Sequence, residues 1–145
     1  MFNTILVPTD GSPLSGKATE KAIEFARLHG SKIIGLSVAE PYPFTSLYEG
    51  AVIHDPQHYE SRMRELAEEH VKAVADAASG AGVACETVIS QSFNPHEEII
   101  NTAKKYGCDA IFMASHGRRG LNRLFLGSET QKVLAHSDIP VLVLR

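Results

Sequence analysis

One feature constrains this chain more than any other: short apolar runs alternate with longer amphipathic stretches. "NTILVP", "KIIGLSVA", "VACETVIS", "CDAIFMAS" and "IPVLVLR" are rich in Val, Ile, Leu, Phe and Cys, and between them apolar residues recur three and four apart. Continuous runs of roughly four to eight such residues read as strands covered on both sides, and the intervening periodicity reads as helix. Strand and helix in turn argue for a parallel sheet with helices on both faces. At 145 residues the chain is the size of one domain, 1–145, able to bury most of its apolar surface without a disulfide or metal staple. Cys85 and Cys108 lie among apolar neighbours without the spacing of a zinc or redox pair and read as small hydrophobes.

The helices announce their starts. Ser12-Pro13, Asp55-Pro56 and Asn94-Pro95 each put a capping side chain before a proline suited to the first helical position. Asn94 with Glu97, and Ser128 with Gln131, have capping-box spacing. From Asp55 to Gly80, Met63, Leu66, Ala67, Val71, Val74, Ala75 and Ala78 form one stripe to face the sheet, leaving Arg62, Glu65, Glu68, Glu69 and Lys72 to water. The stretch "EPYPFTSLYEGAVIHD" from Glu40 to Asp55 is long for a connector and reads as a lid or pocket wall, or as a mobile loop.

"PTDGSPLSGKAT" falls one residue short of a phosphate-gripping P-loop. A P-loop must stay out of helix until its Gly-Lys pair and follow it with Ser or Thr. Here Ser12-Pro13 opens the helix early and Ala18 stands at the hydroxyl position, so Gly16 and Lys17 are expected inside a helix, with Lys17 a surface charge. Asp10, at the end of the first strand, reads two ways: as a turn former before Gly11, or as a carboxylate facing the crevice outside the strand ends, where ribose hydroxyls could bind.

"MASHGRRGLNRLFLGSETQ", Met113 to Gln131, is the richest stretch. Gly127 permits close approach of an anion, the following helix start offers free N–H groups, and Arg118, Arg119 and Arg123 supply positive charge. Together these read as a phosphate site. Ser115 and His116 invite a nucleophile and base reading with Asp10 as orienter, but adjacent side chains seldom face one another and no strained Gly-x-Ser-x-Gly elbow is present. The remaining histidines lack metal-ligand spacing.

"PTDGS", "SHGRRGLNRLFLGSETQKVLAHSDIPVLVLR" and the strand-helix alternation between them resemble the universal stress protein family over essentially the whole chain. One branch of that family carries the pattern Gly, two residues, Gly, nine residues, Gly-Ser or Gly-Thr. Gly117, the spacer Arg118 to Leu126 and Gly127-Ser128 are similar to its second and third parts, while Ala114 stands at the first glycine. Alanine adds a methyl and resists positive φ, so a nucleotide is accommodated there if the position is extended.

The resemblance implies an α/β, Rossmann-like fold: an open, doubly wound, parallel five-stranded sheet of order 3-2-1-4-5 with helices on both faces. It implies ATP across strands one and four, bringing magnesium with it. Asp10 would meet the ribose, with the Pro8-Thr9 backbone on the adenine side and backbone groups of Val38 at the base. Met113 and Ala114 would border sugar and base; Gly117, Gly127, Ser128, Glu129 and Thr130 would line the phosphates, Glu129 through its N–H alone. Arg118 adds its charge. The resemblance also implies a homodimer through the last strand, Pro140 to Arg145, whose edge would otherwise leave backbone groups unpaired.

The function so implied is a nucleotide-dependent stress-response regulator with at most slow hydrolysis or self-phosphorylation at Ser128. The alternative is a dimeric interaction module of the same fold without nucleotide. Net charge of −3 gives no electrostatic case for nucleic acid or an anionic membrane. No apolar run approaches the ~20 residues of a membrane span and the start lacks signal-peptide features, so a cytoplasmic protein is expected.

Overall fold

A computed structural model of the protein describes residues 1–43, 55–118 and 125–145. β1 (Thr4–Pro8), β2 (Lys32–Ala39), β3 (Cys85–Gln91), β4 (Ala110–Ala114) and β5 (Val141–Leu144) form one sheet of order β3-β2-β1-β4-β5, every pair parallel. Between them lie α1 (Pro13–His29), α2 (Pro56–Gly80), α3 (Pro95–Lys105) and α4 (Ser128–His136). The expected doubly wound architecture and strand order are the observed ones.

Alternation along β1 shows why its run is apolar throughout. Ile5 and Val7 pack with Ala22, Ile23 and Ala26 of α1 and Val74 and Ala78 of α2. Leu6, between them, packs on the opposite face with Ile99 and Ala103 of α3 and Val133 of α4. Ile5, Leu6 and Val7 are each 0% exposed, and burying each contributes about 1.5–3 kcal/mol. A strand clothed on both faces has no solvent side on which to place a polar residue.

Three helix starts differ in how they are satisfied. Ser12 caps α1, its Oγ accepting from Ser15 N at 3.3 Å, and Asp55 caps α2, accepting from Gln57 N at 3.0 Å. Asn94 does not cap α3 with its side chain, contrary to the capping-box expectation. Glu129 of α4 supplies the acceptor instead, its Oε2 taking the His96 N–H at 2.8 Å and His96 Nδ1 at 2.9 Å. Ser128 is likewise not a cap: Gly127 occupies that place, and the Gln131 side chain donates to Leu126 O at 2.7 Å.

Gly16 and Lys17 lie exposed within α1, so the P-loop reading fails on geometry. Cys108 is buried, and burial pushes its thiol up to about 11. Cys85 is only partly buried, because β3 is an edge strand. Among the described residues no helix is long and apolar enough to cross a membrane.

Candidate functional site

The strand order reverses between β1 and β4, and chains leaving those strands part to opposite faces of the sheet, opening a crevice at their carboxyl ends. A cleft of about 420 Å³ occupies it, a size ordinary for a small-molecule site. Its walls bring together all twelve residues singled out for nucleotide binding: Pro8, Thr9 and Asp10 after β1, Val38 on β2, Met113 and Ala114 on β4, Gly117 and Arg118 in the loop beyond it, and Gly127, Ser128, Glu129 and Thr130 at the start of α4. Arg119 and Arg123 lie outside the described residues, as does most of the Glu40 to Asp55 stretch, although Glu40 itself lines the cleft.

Asp10 ties the two loops together. Its Oδ1 accepts the Ser12 N–H at 2.9 Å, the turn expected of an Asp before Gly11, and its Oδ2 accepts the Arg118 N–H at 2.7 Å. Burial alone would raise its pKa. Hydrogen bonds from Ser12, Arg118 and Ser15 outweigh that and hold it below the usual carboxylate value. An ionised carboxylate has about four acceptor directions; two are taken by backbone donors and the others are within reach of the Ser12 and Ser15 hydroxyls, which a hydroxyl from the cleft would have to replace. Gly117 makes this contact possible, since a Cβ there would stand 2.5 Å from Asp10 Oδ2.

On the α4 side Gly127 fits closely under the chain. Its N–H donates to Ser115 O at 2.8 Å, and a Cβ would meet Ser115 O at 3.2 Å and His116 Cα at 3.3 Å. The first backbone bond of the helix is Gln131 N to Gly127 O at 3.0 Å. The helix therefore offers no partner to the N–H groups of Ser128, Glu129 and Thr130, which carry its positive end. Such a terminus suits an anion.

Two side chains at this start are engaged elsewhere. The Glu129 carboxylate also receives Lys132 Nζ at 3.1 Å, besides capping α3. Burial would raise its pKa, but these donors lower it. Thr130, expected to line phosphates, is buried and gives its hydroxyl to Ala114 O and Ser115 O at 3.0 and 3.2 Å. Its side chain therefore clamps α4 to the end of β4, leaving only its N–H for a ligand.

Ala114 ends β4 in register with Leu144, and no described residue other than glycine has positive φ. The position is extended and needs no glycine. Ser115 and His116, expected not to face each other, do: Ser115 Oγ lies 2.8 Å from His116 Nδ1. Because His116 Nε2 meets the Phe125 carbonyl, which only accepts, Nε2 carries the proton and Nδ1 accepts the Ser115 hydroxyl. Asp10 takes no part, and Ser115 is 1% exposed, so no substrate reaches the Ser115 hydroxyl.

Residues not singled out from the sequence complete the cleft. Met63, Leu66 and Ala67, the first half of the α2 stripe, face it with Leu36, Ile99 and the exposed Phe93, giving an apolar wall. His70 stands further along the same helix, its Nε2 2.7 Å from an Arg118 guanidinium nitrogen and its Nδ1 3.5 Å from Ser37 Oγ. A histidine at the spacing of Ala67, Val71 and Val74 was the available signal: a polar residue within a stripe otherwise turned inward. Chemically, the cleft joins a carboxylate on one strand end, an anion-accepting helix start on another and an apolar wall between them.

Comparison with known proteins agrees with the fold. A family model described as Universal stress protein family matches residues 1–145. The sequence is 34% identical over 149 aligned positions to the universal stress protein YxiE of Bacillus subtilis, covering 100% of both chains. The solved structure of protein MJ0577, from Methanocaldococcus jannaschii, superposes with a TM-score of 0.77 at 30% identity, covering 99% of this chain and 96% of that one. A universal stress protein solved in complex with cAMP superposes with a TM-score of 0.72 at 22% identity, covering 99% of this chain and 97% of the other.

Proposed function

This chain belongs to the universal stress protein family, and from that premise we propose that it is an ATP-binding regulator whose cleft between β1 and β4 holds the nucleotide. One observation carries the reading. A single cleft of about 420 Å³ presents the Asp10 carboxylate, the unsatisfied start of α4 under Gly127, and an apolar wall, the three environments that ribose, phosphates and base require. A protein of the same fold holds cAMP, which supports the capacity of this architecture for adenine nucleotides.

In this reading the ribose hydroxyls donate to Asp10, the phosphates sit on the N–H groups of Ser128, Glu129 and Thr130, and Arg118 adds charge. The base lies toward Val38 and the apolar wall. Magnesium arrives on the phosphates: the Asp10 carboxylate is held by backbone donors and that of Glu129 by α3 and Lys132. Both ring nitrogens of His116, the candidate base beside the phosphates, are engaged, which supports binding over turnover.

Assembly enters the proposal through β5. Among the described residues it pairs with β4 alone, and Leu142 on it is 46% exposed. Pairing of this strand, Pro140 to Arg145, with that of a second copy would satisfy the open edge. Calorimetric titration of ATP and AMP, with magnesium, into nucleotide-stripped protein tests the function directly. Saturable ATP binding with Kd roughly in the micromolar range is expected; no binding at millimolar ATP rejects it in favour of a dimeric interaction module.

A further inference from the structure

His70 sits where three parts of the molecule meet. Its ring lies against Gly11, where an added Cβ would run into the imidazole and where φ is +75°. Its Nδ1 faces Ser37 Oγ on β2, and its Nε2 faces the guanidinium of Arg118 from the loop after β4. A guanidinium has no lone pair to offer, so Nε2 must be the acceptor and the imidazole must be neutral, with its proton on Nδ1 toward Ser37. His70 therefore holds the side chain of a residue whose main-chain N–H is already fixed by Asp10 at 2.7 Å. The Arg118 side chain is thereby clamped onto α2.

We propose that His70 is a positioning residue of the nucleotide site: its neutral ring retains the Arg118 guanidinium, an anionic ligand takes Arg118 over, and binding is thereby coupled to proton uptake on His70. The inference rests on the nucleotide reading above. Loss of Arg118 to a phosphate removes the cation that penalises imidazolium, and the phosphates then favour a second positive charge on the same wall. A proton on Nε2 conversely ejects Arg118, since two cations cannot share that hydrogen bond, and releases it toward the anion.

The charged surroundings agree with a ring held neutral in the free protein. Burial first, and then the Arg118 charge, lower the His70 pKa; Asp10 after β1 and Glu69 on its own helix pull the other way without prevailing. The ring therefore takes its proton below the ordinary histidine value before an anion binds, and uptake on binding falls between that value and the higher one of the bound state.

Calorimetry between about pH 5.5 and about pH 8, with ATP and with adenosine, tests the coupling in the wild type and in His70→Gln, which keeps an acceptor but cannot become a cation. The ratio of wild-type to His70→Gln affinity for ATP is expected to rise about tenfold on acidification, a factor of ten for each unit by which ligand raises the His70 pKa. Comparing variants cancels the ligand's own protonation. Adenosine, without phosphate, is expected to show a flat ratio. If both proteins bind ATP with the same pH profile, the role of His70 is overturned while the nucleotide reading stands; if neither binds ATP at any pH, both fall. Should His70→Gln not fold, NMR titration of the His70 ring decides without it. Arg118→Ala is expected to raise its pKa in free protein, and ATP to raise it in the wild type; unchanged values in either case overturn the proposal.

Discussion

Two helices, α1 and α4, begin at the same end of the sheet, beside the same cleft, and are finished differently. α1 is closed by its own chain: Ser12 Oγ takes the Ser15 N–H, Ser15 Oγ donates back to Ser12 O at 2.9 Å, and Asp10 takes the Ser12 N–H. α4 has Gly127 at its cap position and no side-chain cap, and its own Thr130 hydroxyl is turned away to the end of β4. Both starts carry the same dipole and the same orphan N–H groups. Only the second leaves them to be satisfied from outside, so the difference in capping, rather than the presence of a helix start, singles out the proposed anion site.

Substitutions that exchange the two conditions should break this contrast. The largest effect is expected for Gly127→Asp, which places a carboxylate where phosphate would sit. Hydrogen bonds to a charged group are worth about 1.5–3 kcal/mol each, so losing even one or two should weaken ATP by roughly 100-fold or more. Contact with Ser115 O and His116 Cα adds a folding cost of about 1–3 kcal/mol, seen as a lower Tm with a native far-UV spectrum. Wild-type affinity in a folded Gly127→Asp protein would place the anion elsewhere.

Ser12→Ala makes the reciprocal test. The α1 start loses its cap, costing about 1 kcal/mol and a few degrees in Tm, while ATP affinity stays within about twofold because the backbone N–H of Ser12 still holds Asp10. A large loss of binding with unchanged Tm would mean that α1, not α4, meets the ligand.

Glu129 sharpens the comparison from a third side, since α4 lends its carboxylate to finish α3. Glu129→Gln should destabilise the protein at neutral pH by no more than about 1 kcal/mol, given solvent screening of a partly exposed group. The sign with pH follows from its lowered pKa. The contribution is fully present above the unfolded-state value of about 4.5 and is lost as pH falls through the lower folded value. Denaturation of wild type and variant should therefore converge in acid; a constant gap across pH would assign the effect to packing.

These contrasts also explain what could be read from residues alone. The fold was legible because a strand covered on both faces must be apolar along its whole length, as Ile5, Leu6 and Val7 are. Asp10 and Gly127 were legible because local chain chemistry, a turn and a helix start, points at the crevice. Met63 and Leu66, expected to face the sheet, line the cleft, since periodicity reports only that a stripe faces inward; whether it meets sheet or cleft depends on where the strands stop. The pairing of His70 with Arg118 and the capping of α3 by Glu129 were not legible for the same reason, being contacts between residues 48 and 33 positions apart; the sequence marks His70 only as a polar residue within the stripe.

Ala114 is the smallest perturbation and the most pointed, because it sets a sequence pattern against a geometry. The pattern of the ATP-binding branch asks for glycine there, whereas the backbone, extended and registered with Leu144, asks for nothing glycine alone can give. Ala114 O accepts from Thr130 Oγ1, a bond indifferent to the side chain. Ala114→Gly should therefore leave ATP affinity within about threefold and lower stability by about 0.5–1 kcal/mol through the added freedom of the unfolded chain. A tenfold gain in affinity would instead reveal the methyl as an obstruction in the cleft, making the glycine of the pattern a matter of space beside the sugar rather than of φ. Affinity and Tm measured on the same preparation separate the two outcomes, because space acts on the first and chain entropy on the second.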